Sequence, residues 1–249
     1  MPLPDVVLNR TREPSLSRWY EQRDVPVFHS SFLTEMGNDK WETLQFFKEN
    51  LPAAIAEGEF APKTAVLGNS REISAEWFGK QGWQEGMEDL VLKTVDGHGG
   101  NEVCLAVRAG CEDLRRLAGQ FPGRKLIVQR RVDSDSKDVR IYILGGEVYQ
   151  AVLRQGKGDF RSNFSLGGSA MPYHLSGGQR ELAECFLQAL KGQGMGILGL
   201  DFILTREGEF IFNELEEMVG CRMLYQHTGR NIVGDFVSWL CGPGKPCHV

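Results

Sequence analysis

The chain has 249 residues, 41% of them hydrophobic, and carries a formal net charge of −5. That content suffices for one large domain or two smaller ones, and the acidic balance argues against nucleic acid or an anionic membrane as the main partner. No apolar run approaches the ~18 residues that span a bilayer, and Met1 to Asp5 lacks the basic and apolar regions of a signal peptide, so a cytoplasmic protein is expected. The six cysteines form no C-x-x-C pair and are expected to be reduced thiols.

The patterning predicts elements in the following order. Asp5 to Arg10 begins like an edge strand, Ser15 to Arg23 reads as a short helix, and Val25 to Phe28 as another strand. Asp39 to Asn50 is a helix with Trp41, Leu44 and Phe47 on one stripe. Thr64 to Leu67 is a strand, Ala75 to Gln84 a helix, and Leu90 to Lys93 a strand running into Gly97-His98-Gly99-Gly100. Val103 to Val107 resumes as a strand, Cys111 to Ala118 is helical with Gly119 as its stop, and Leu126 to Gln129 is a buried-type strand. Asp138 to Leu144 and Glu147 to Arg154 form a hairpin around Gly145-Gly146. A glycine-rich loop, Gly156 to Gly168, precedes an amphipathic helix from Gly178 to Lys191. A last hairpin (Leu200 to Leu204, Phe210 to Glu216) and a helix (Ile232 to Leu240) close the chain. Strands and helices mix without strict βαβ alternation, which favours α+β lobes on mostly antiparallel sheet.

The last hairpin carries the chemistry. Centring its turn between Glu207 and Gly208 puts Asp201 opposite Glu214, and alternation puts Glu214 and Glu216 on one face. Like charges opposed across a ladder destabilise it, so three acids on one patch suggest a hard cation held by oxygen ligands. Lys93 stands just before a glycine-rich turn, where backbone N–H groups can meet an anion. The spacing is not that of a Walker A loop. Arg140 and Arg154 on the preceding hairpin, and Arg161 between two glycine clusters, add cations to the same region. Cations, a metal and a glycine loop together describe a triphosphate site.

Seven pieces in this order resemble the ATP-grasp superfamily, closest to the RimK-like glutamate ligases. They are N-D-K-W at Asn38, V-L-K-T-V-D-G-H-G-G at Val91, I-V-Q-R-R-V at Ile127, D-V-R-I-Y-I-L-G-G at Asp138, G-D-F-R-S-N at Gly158, G-L-D-F-I-L at Gly199 and N-E-L-E at Asn213. The resemblance implies an ATP-grasp fold with two α+β lobes clasping ATP. Residues 40–128 would form the N-terminal lobe and residues 129–249 the C-terminal lobe with the metal site. Residues 1–39 would be a truncated or minimal N-terminal α/β segment. It also implies roles. Lys40, Lys93, Gly99 and Gly100 would hold phosphates, the linker through Gln129, Arg130, Arg131 and Val132 would read adenine, and Asp138 would lie near the ribose. Arg161, Ser162 and Asn163 would touch phosphates or metal, while Asp201, Glu214 and Glu216 would carry Mg²⁺, two ions by family habit, with Mn²⁺ as a substitute. Arg154 and Arg161 would stabilise an acyl phosphate, and Arg222 and Arg10 would meet a substrate carboxylate.

The implied activity is ATP-dependent carboxylate–amine ligation on small molecules or peptides, which leaves a homo-oligomer open. A peptide macrocyclase and a non-catalytic ATP-binding module are the alternatives. Two positions depart from the family pattern: Glu216 stands where an asparagine is usual, and Arg130-Arg131 follow Gln129 where an acid is usual.

Overall fold

The computed structural model describes residues 2–157 and 168–242. Arg161, Ser162 and Asn163 lie outside the described residues. In chain order the elements begin with β1 (Val7–Leu8), α1 (Pro14–Glu21), β2 (Val27–Phe28), α2 (Ser31–Gly37), α3 (Lys40–Asn50) and α4 (Ala53–Ala56). Next come β3 (Thr64–Leu67), α5 (Ala75–Lys80), β4 (Leu90–Thr94), β5 (Val103–Ala106), α6 (Cys111–Ala118) and β6 (Leu126–Arg130). The remainder is β7 (Lys137–Leu144), β8 (Glu147–Gln155), β9 (Ser169–Tyr173), α7 (Gly177–Ala189), β10 (Ile197–Leu204), β11 (Phe210–Glu216), α8 (Arg222–Thr228) and α9 (Ile232–Cys241).

Two antiparallel sheets face each other across the chain's centre. The smaller has four strands in the order β3-β6-β4-β5, the larger five in the order β11-β10-β7-β8-β9. This is the expected α+β class. A separate parallel pair, β1 and β2, is bridged by α1 as one small βαβ unit.

Helix α6 covers the four-stranded sheet. Its Leu114 and Leu117 fall one turn apart and bury against Leu90, Leu92 and Val128. The five-stranded sheet carries the largest core, an aromatic cluster that spans elements distant in sequence. Phe47 of α3 lies 4.6 Å from Phe186 of α7 and 5.0 Å from Phe212 of β11, and Phe202 stacks on Phe210. Each fully buried ring contributes on the order of 2–3 kcal/mol. Asp39 caps α3 by accepting from the Trp41 and Glu42 amides. The β7–β8 turn places both Gly145 and Gly146 at positive φ, which suits a tight hairpin following the strand twist.

Several sequence expectations shift. Leu33, Met36, Phe47 and Leu51 join the core of the five-stranded sheet, so the boundary expected at residue 40 does not follow the packing. The helix expected from Ala75 to Gln84 ends at Lys80, with Gly82 at φ 65° just beyond it. Cys104, Cys111, Cys185 and Cys221 are free, whereas Cys241 is disulfide-bonded, contrary to the reduced-thiol expectation. Among the described residues no helix is long and apolar enough to cross a membrane.

Candidate active site

A cleft with about 970 Å³ of empty space, part of it open to solvent, runs between the two sheets. The small-sheet wall offers Val91, Lys93 and Val103, with Gly97, Gly99 and Gly100 in the loop between β4 and β5. The opposite wall offers Asp138, Arg154, Ile203, Asn213 and Glu214, and the linker from Gln129 to Val132 closes one end.

Lys93, next to last in β4, is buried and lines the cleft. Its Nζ donates to Asn213 Oδ1 at 3.1 Å, tying the small sheet to β11. Burial pushes the Lys93 ammonium down to about 8, with Glu214 opposing the shift and Lys40 adding to it. Lys40, in the first turn of α3, donates from Nζ to the Gly97 carbonyl and sits 3.8 Å from Glu214 Oε2. Its backbone N–H also bonds Val95 O at 3.0 Å. The glycine loop is therefore fastened from below by one lysine. Gly97 allows no side chain there, since a Cβ would lie 2.2 Å from Thr94 Oγ1, and Gly99 and Gly100 hold positive φ.

The acids on the large sheet are arranged as a charged ladder. Asp201 pairs with Glu214 on one side and with Arg140 on the other, and Asp138 pairs with Arg154. The Asp201–Glu214 register is the one read from the hairpin turn, although a bulge follows between Asp201 and Phe202. Arg140 donates from Nε to Asp201 Oδ1 at 2.8 Å and from Nη2 to Oδ2 at 2.6 Å. Arg154 Nη2 donates to Asp201 Oδ2 at 2.7 Å, and its Nε and Nη2 bind Asp138 at 2.5 and 2.6 Å. Arg140 also pairs with Glu216.

The electrostatics follow from these contacts. Burial alone would raise the Asp201 carboxyl, but Arg140 and Arg154 hold it below the usual carboxylate range. Burial also works against the Arg140 charge, and Asp201 and Glu216 outweigh it. Glu216 goes the other way: burial lifts its carboxyl well above the ordinary value, Arg140 pulls it down, and the Asp201 and Glu214 charges add to the rise.

This geometry corrects one expectation. The acids do not form a ready three-carboxylate cluster; among the described residues no group of three or more His, Cys, Asp or Glu is placed to hold a metal ion. Both Asp201 oxygens are committed to guanidinium groups, so arginines relieve the repulsion the sequence assigned to a cation. Asp138 is buried and held by Arg154, and it lines the cleft. Lys40, Lys93, Gly99, Gly100, Gln129, Arg130, Arg131, Val132, Arg154 and Glu214 do meet in the cleft. Arg130 and Arg131 use their backbone N–H groups on Lys63 O and Asp89 O, both 2.9 Å away. Arg10 and Arg222 do not line the cleft. Arg10 donates to Val219 O at 3.1 Å, and Arg222 is exposed in the first turn of α8.

Sequence reasoning passed over the apolar lining (Val91, Val103, Ile203), the Asn213 bridge, and the central part of Arg140. The alternation of Asp138 and Arg140 on β7 was the available signal: it puts both on the face that β10 then completes.

The RimK-like ATP-grasp domain pattern matches residues 61–240. A probable alpha-L-glutamate ligase of Enterobacter sp. (strain 638) is 31% identical over 153 residues, covering 61% of this chain and 50% of that protein. The chain thus spans about half the length of the curated relatives it matches. Among solved structures, D-cycloserine synthetase DcsG superposes with a TM-score of 0.63 at 16% identity, covering 85% of this chain and 73% of that one. The VanG D-Ala:D-Ser ligase from Enterococcus faecalis superposes with a TM-score of 0.64 at 17% identity, covering 87% and 64%. These likenesses concern the fold, and the family match spans most of the chain. The chain belongs to the RimK-like ATP-grasp family.

Proposed function

We propose that this chain is an ATP-dependent carboxylate–amine ligase that forms an amide through an acyl phosphate, with glutamate or a peptide as its acidic substrate. The observation that carries this reading is the cleft between the sheets, lined by Val91, Val103 and Ile203 and holding Lys40, Lys93 and Glu214 close together. Adenine fits between Val91 and Ile203. Because the Arg130 and Arg131 amides are already used, recognition of the base falls to the linker carbonyls and the Val132 amide. Lys40 and Lys93 take the triphosphate, with the Gly99-Gly100 backbone above it.

The residues present fit Mg²⁺. Glu214 and Glu216 share a face of β11, Glu214 is 30% exposed at the side chain with Lys40 beyond hydrogen-bond reach of it, and Glu216 Oε2 is held by Arg140. These two carboxylates would hold one ion; a second requires Asp201 to give up a guanidinium. An ion held there would offset the negative charge of the phosphates.

The chain's own residues then position the substrates. A carboxylate oxygen attacks the γ-phosphorus, the bond to the β-phosphate oxygen breaks, and ADP leaves. The amine nitrogen attacks the acyl carbon, loses a proton, and phosphate departs with that carboxylate oxygen. Arg154, fixed through Nε and Nη2 by two carboxylates, offers Nη1 to the transferred phosphoryl group at no reorganisation cost. Positioning dominates such chemistry, which needs no protein nucleophile. The cytoplasm, where ATP is supplied, is the proposed location.

The test is an ADP-release screen of amino acids and peptides as carboxylate and amine, with mass spectrometry of the products. ADP formation that requires both partners, with an amide of the summed mass less water, is expected. Nucleotide binding without carboxylate-dependent ADP release across the panel would overturn the reading.

A further inference from the structure

Outside the cleft, the N-terminal arm is fixed against the end of the acid-bearing strand. Asn9 is buried; its Oδ1 accepts from Thr11 N at 2.9 Å and Thr11 Oγ1 at 2.7 Å, and its Nδ2 donates to Ser17 Oγ at 2.8 Å. This turn lays Arg10 and Arg12 along the residues that follow β11. Arg10 anchors the arm through Val219 O. Arg12 is less committed: its side chain is 45% exposed and its Nε stands 3.8 Å from Glu217 Oε1, too far for a hydrogen bond.

Glu217 is the partner that needs more. Its side chain is only 3% exposed, yet Oε1 makes no hydrogen bond among the described residues. Asn38 Oδ1, at the end of α2, is also buried without a donor. Asn38 belongs to the same place, because its Nδ2 reaches Arg12 O at 3.4 Å and Thr34 O at 2.8 Å. The neighbouring Gly37 backs directly onto Glu217, whose Oε2 would lie 2.7 Å from a Cβ there. Two buried acceptors without donors are costly and uncommon. The site adjoins the acid and lysine end of the cleft through the chain itself: Asn38 stands two residues before Lys40, which opens α3, and Glu217 follows Glu216 at the end of β11.

We propose that Arg12, Glu217 and Asn38 form the subsite that selects the amine substrate. Glu217 Oε1 and Asn38 Oδ1 accept from the substrate's amino group, while Arg12 leaves Glu217 and takes the substrate's carboxylate in a bidentate pair. The free-state contact of Arg12 is a loose placeholder, and an ammonium group in its place gains the hydrogen bonds that Glu217 lacks. The ligand class is an amino acid, selected against amines without a carboxylate and acids without an amine. This inference rests on the ligase reading of the neighbouring cleft.

Calorimetric titration of protein saturated with Mg²⁺ and a non-hydrolysable ATP analogue tests it without turnover. The probes are the proteinogenic L-amino acids, then the decarboxylated amine and the des-amino acid of the tightest binder. One amino acid should bind, with each analogue at least about tenfold weaker. In Arg12→Gln the preference over the decarboxylated amine should fall to within about twofold, with the parent nucleotide Kd retained. Glu217→Gln should weaken the amino acid and leave the des-amino acid unaffected. An unchanged preference in Arg12→Gln, or a nucleotide-loaded parent that binds no amino acid, overturns the subsite. Loss of nucleotide binding in the parent would instead overturn the ligase reading itself, and the subsite with it.

Discussion

Replacing Asp201 with Asn separates the two acids that face each other across the last hairpin. Asp201 is fully buried and accepts three hydrogen bonds from Arg140 and Arg154. The substitution removes the one buried carboxylate that both guanidinium groups share, leaving Arg140 with Glu216 alone and Arg154 with Asp138 alone. Breaking a buried pair from one side costs ~3–5 kcal/mol. In a chain of this size that lowers the thermal midpoint by on the order of 10 °C. Glu214→Gln is the contrast. The Glu214 side chain is 30% exposed and its ion pair with Lys40 spans 3.8 Å, so the stability change should stay within ~1 kcal/mol while Mg²⁺-dependent nucleotide turnover is lost. Urea unfolding of the parent and both variants measures the difference. An Asp201→Asn variant within ~1 kcal/mol of the parent would refute the structural part given to the arginine ladder.

Two predictions concern pH. Lys93 titrates near 8 in the nucleotide-free protein, so the Kd for Mg-ATP should loosen as pH rises through 8 and level off in Lys93→Met; a parent profile flat from pH 7 to 9 contradicts the phosphate role of Lys93. His29 is buried, with a ring nitrogen 2.8 Å from Ile197 O, and burial pushes it down to about 4. Its folded value lies below the unfolded ~6.5, so its contribution is complete above pH 6.5 and is lost as pH falls towards 4. The loss is about 3 kcal/mol relative to His29→Gln, measured as the difference in unfolding free energy at pH 7 and pH 4. Equal pH slopes for the two proteins would contradict a neutral buried imidazole.

Local signals were legible. The Gly208 turn and strand alternation located the Asp201–Glu214 pair before any coordinates did, and Asp39 marked the start of α3 as a cap residue should. Non-local pairing was not. That Arg140 would neutralise Asp201 depends on β7 lying beside β10, which no local pattern states. The packing of α3 into the five-stranded sheet depends on Phe186 and Phe212 meeting Phe47 from far along the chain. The missed strand β9 contains Pro172, which suits only an edge position. The missed helices α2, α4 and α8 are four to seven residues long, too short for periodicity to stand out. The Arg12–Glu217 contact joins residues more than two hundred positions apart, and neither has a motif around it.

The most direct test of the central claim is oxygen transfer. Turnover with a substrate whose carboxylate is labelled with ¹⁸O should give ADP and amide in equal amounts, with one labelled oxygen in each released phosphate, as an acyl phosphate requires. Unlabelled phosphate, or AMP and pyrophosphate in place of ADP and phosphate, would contradict it.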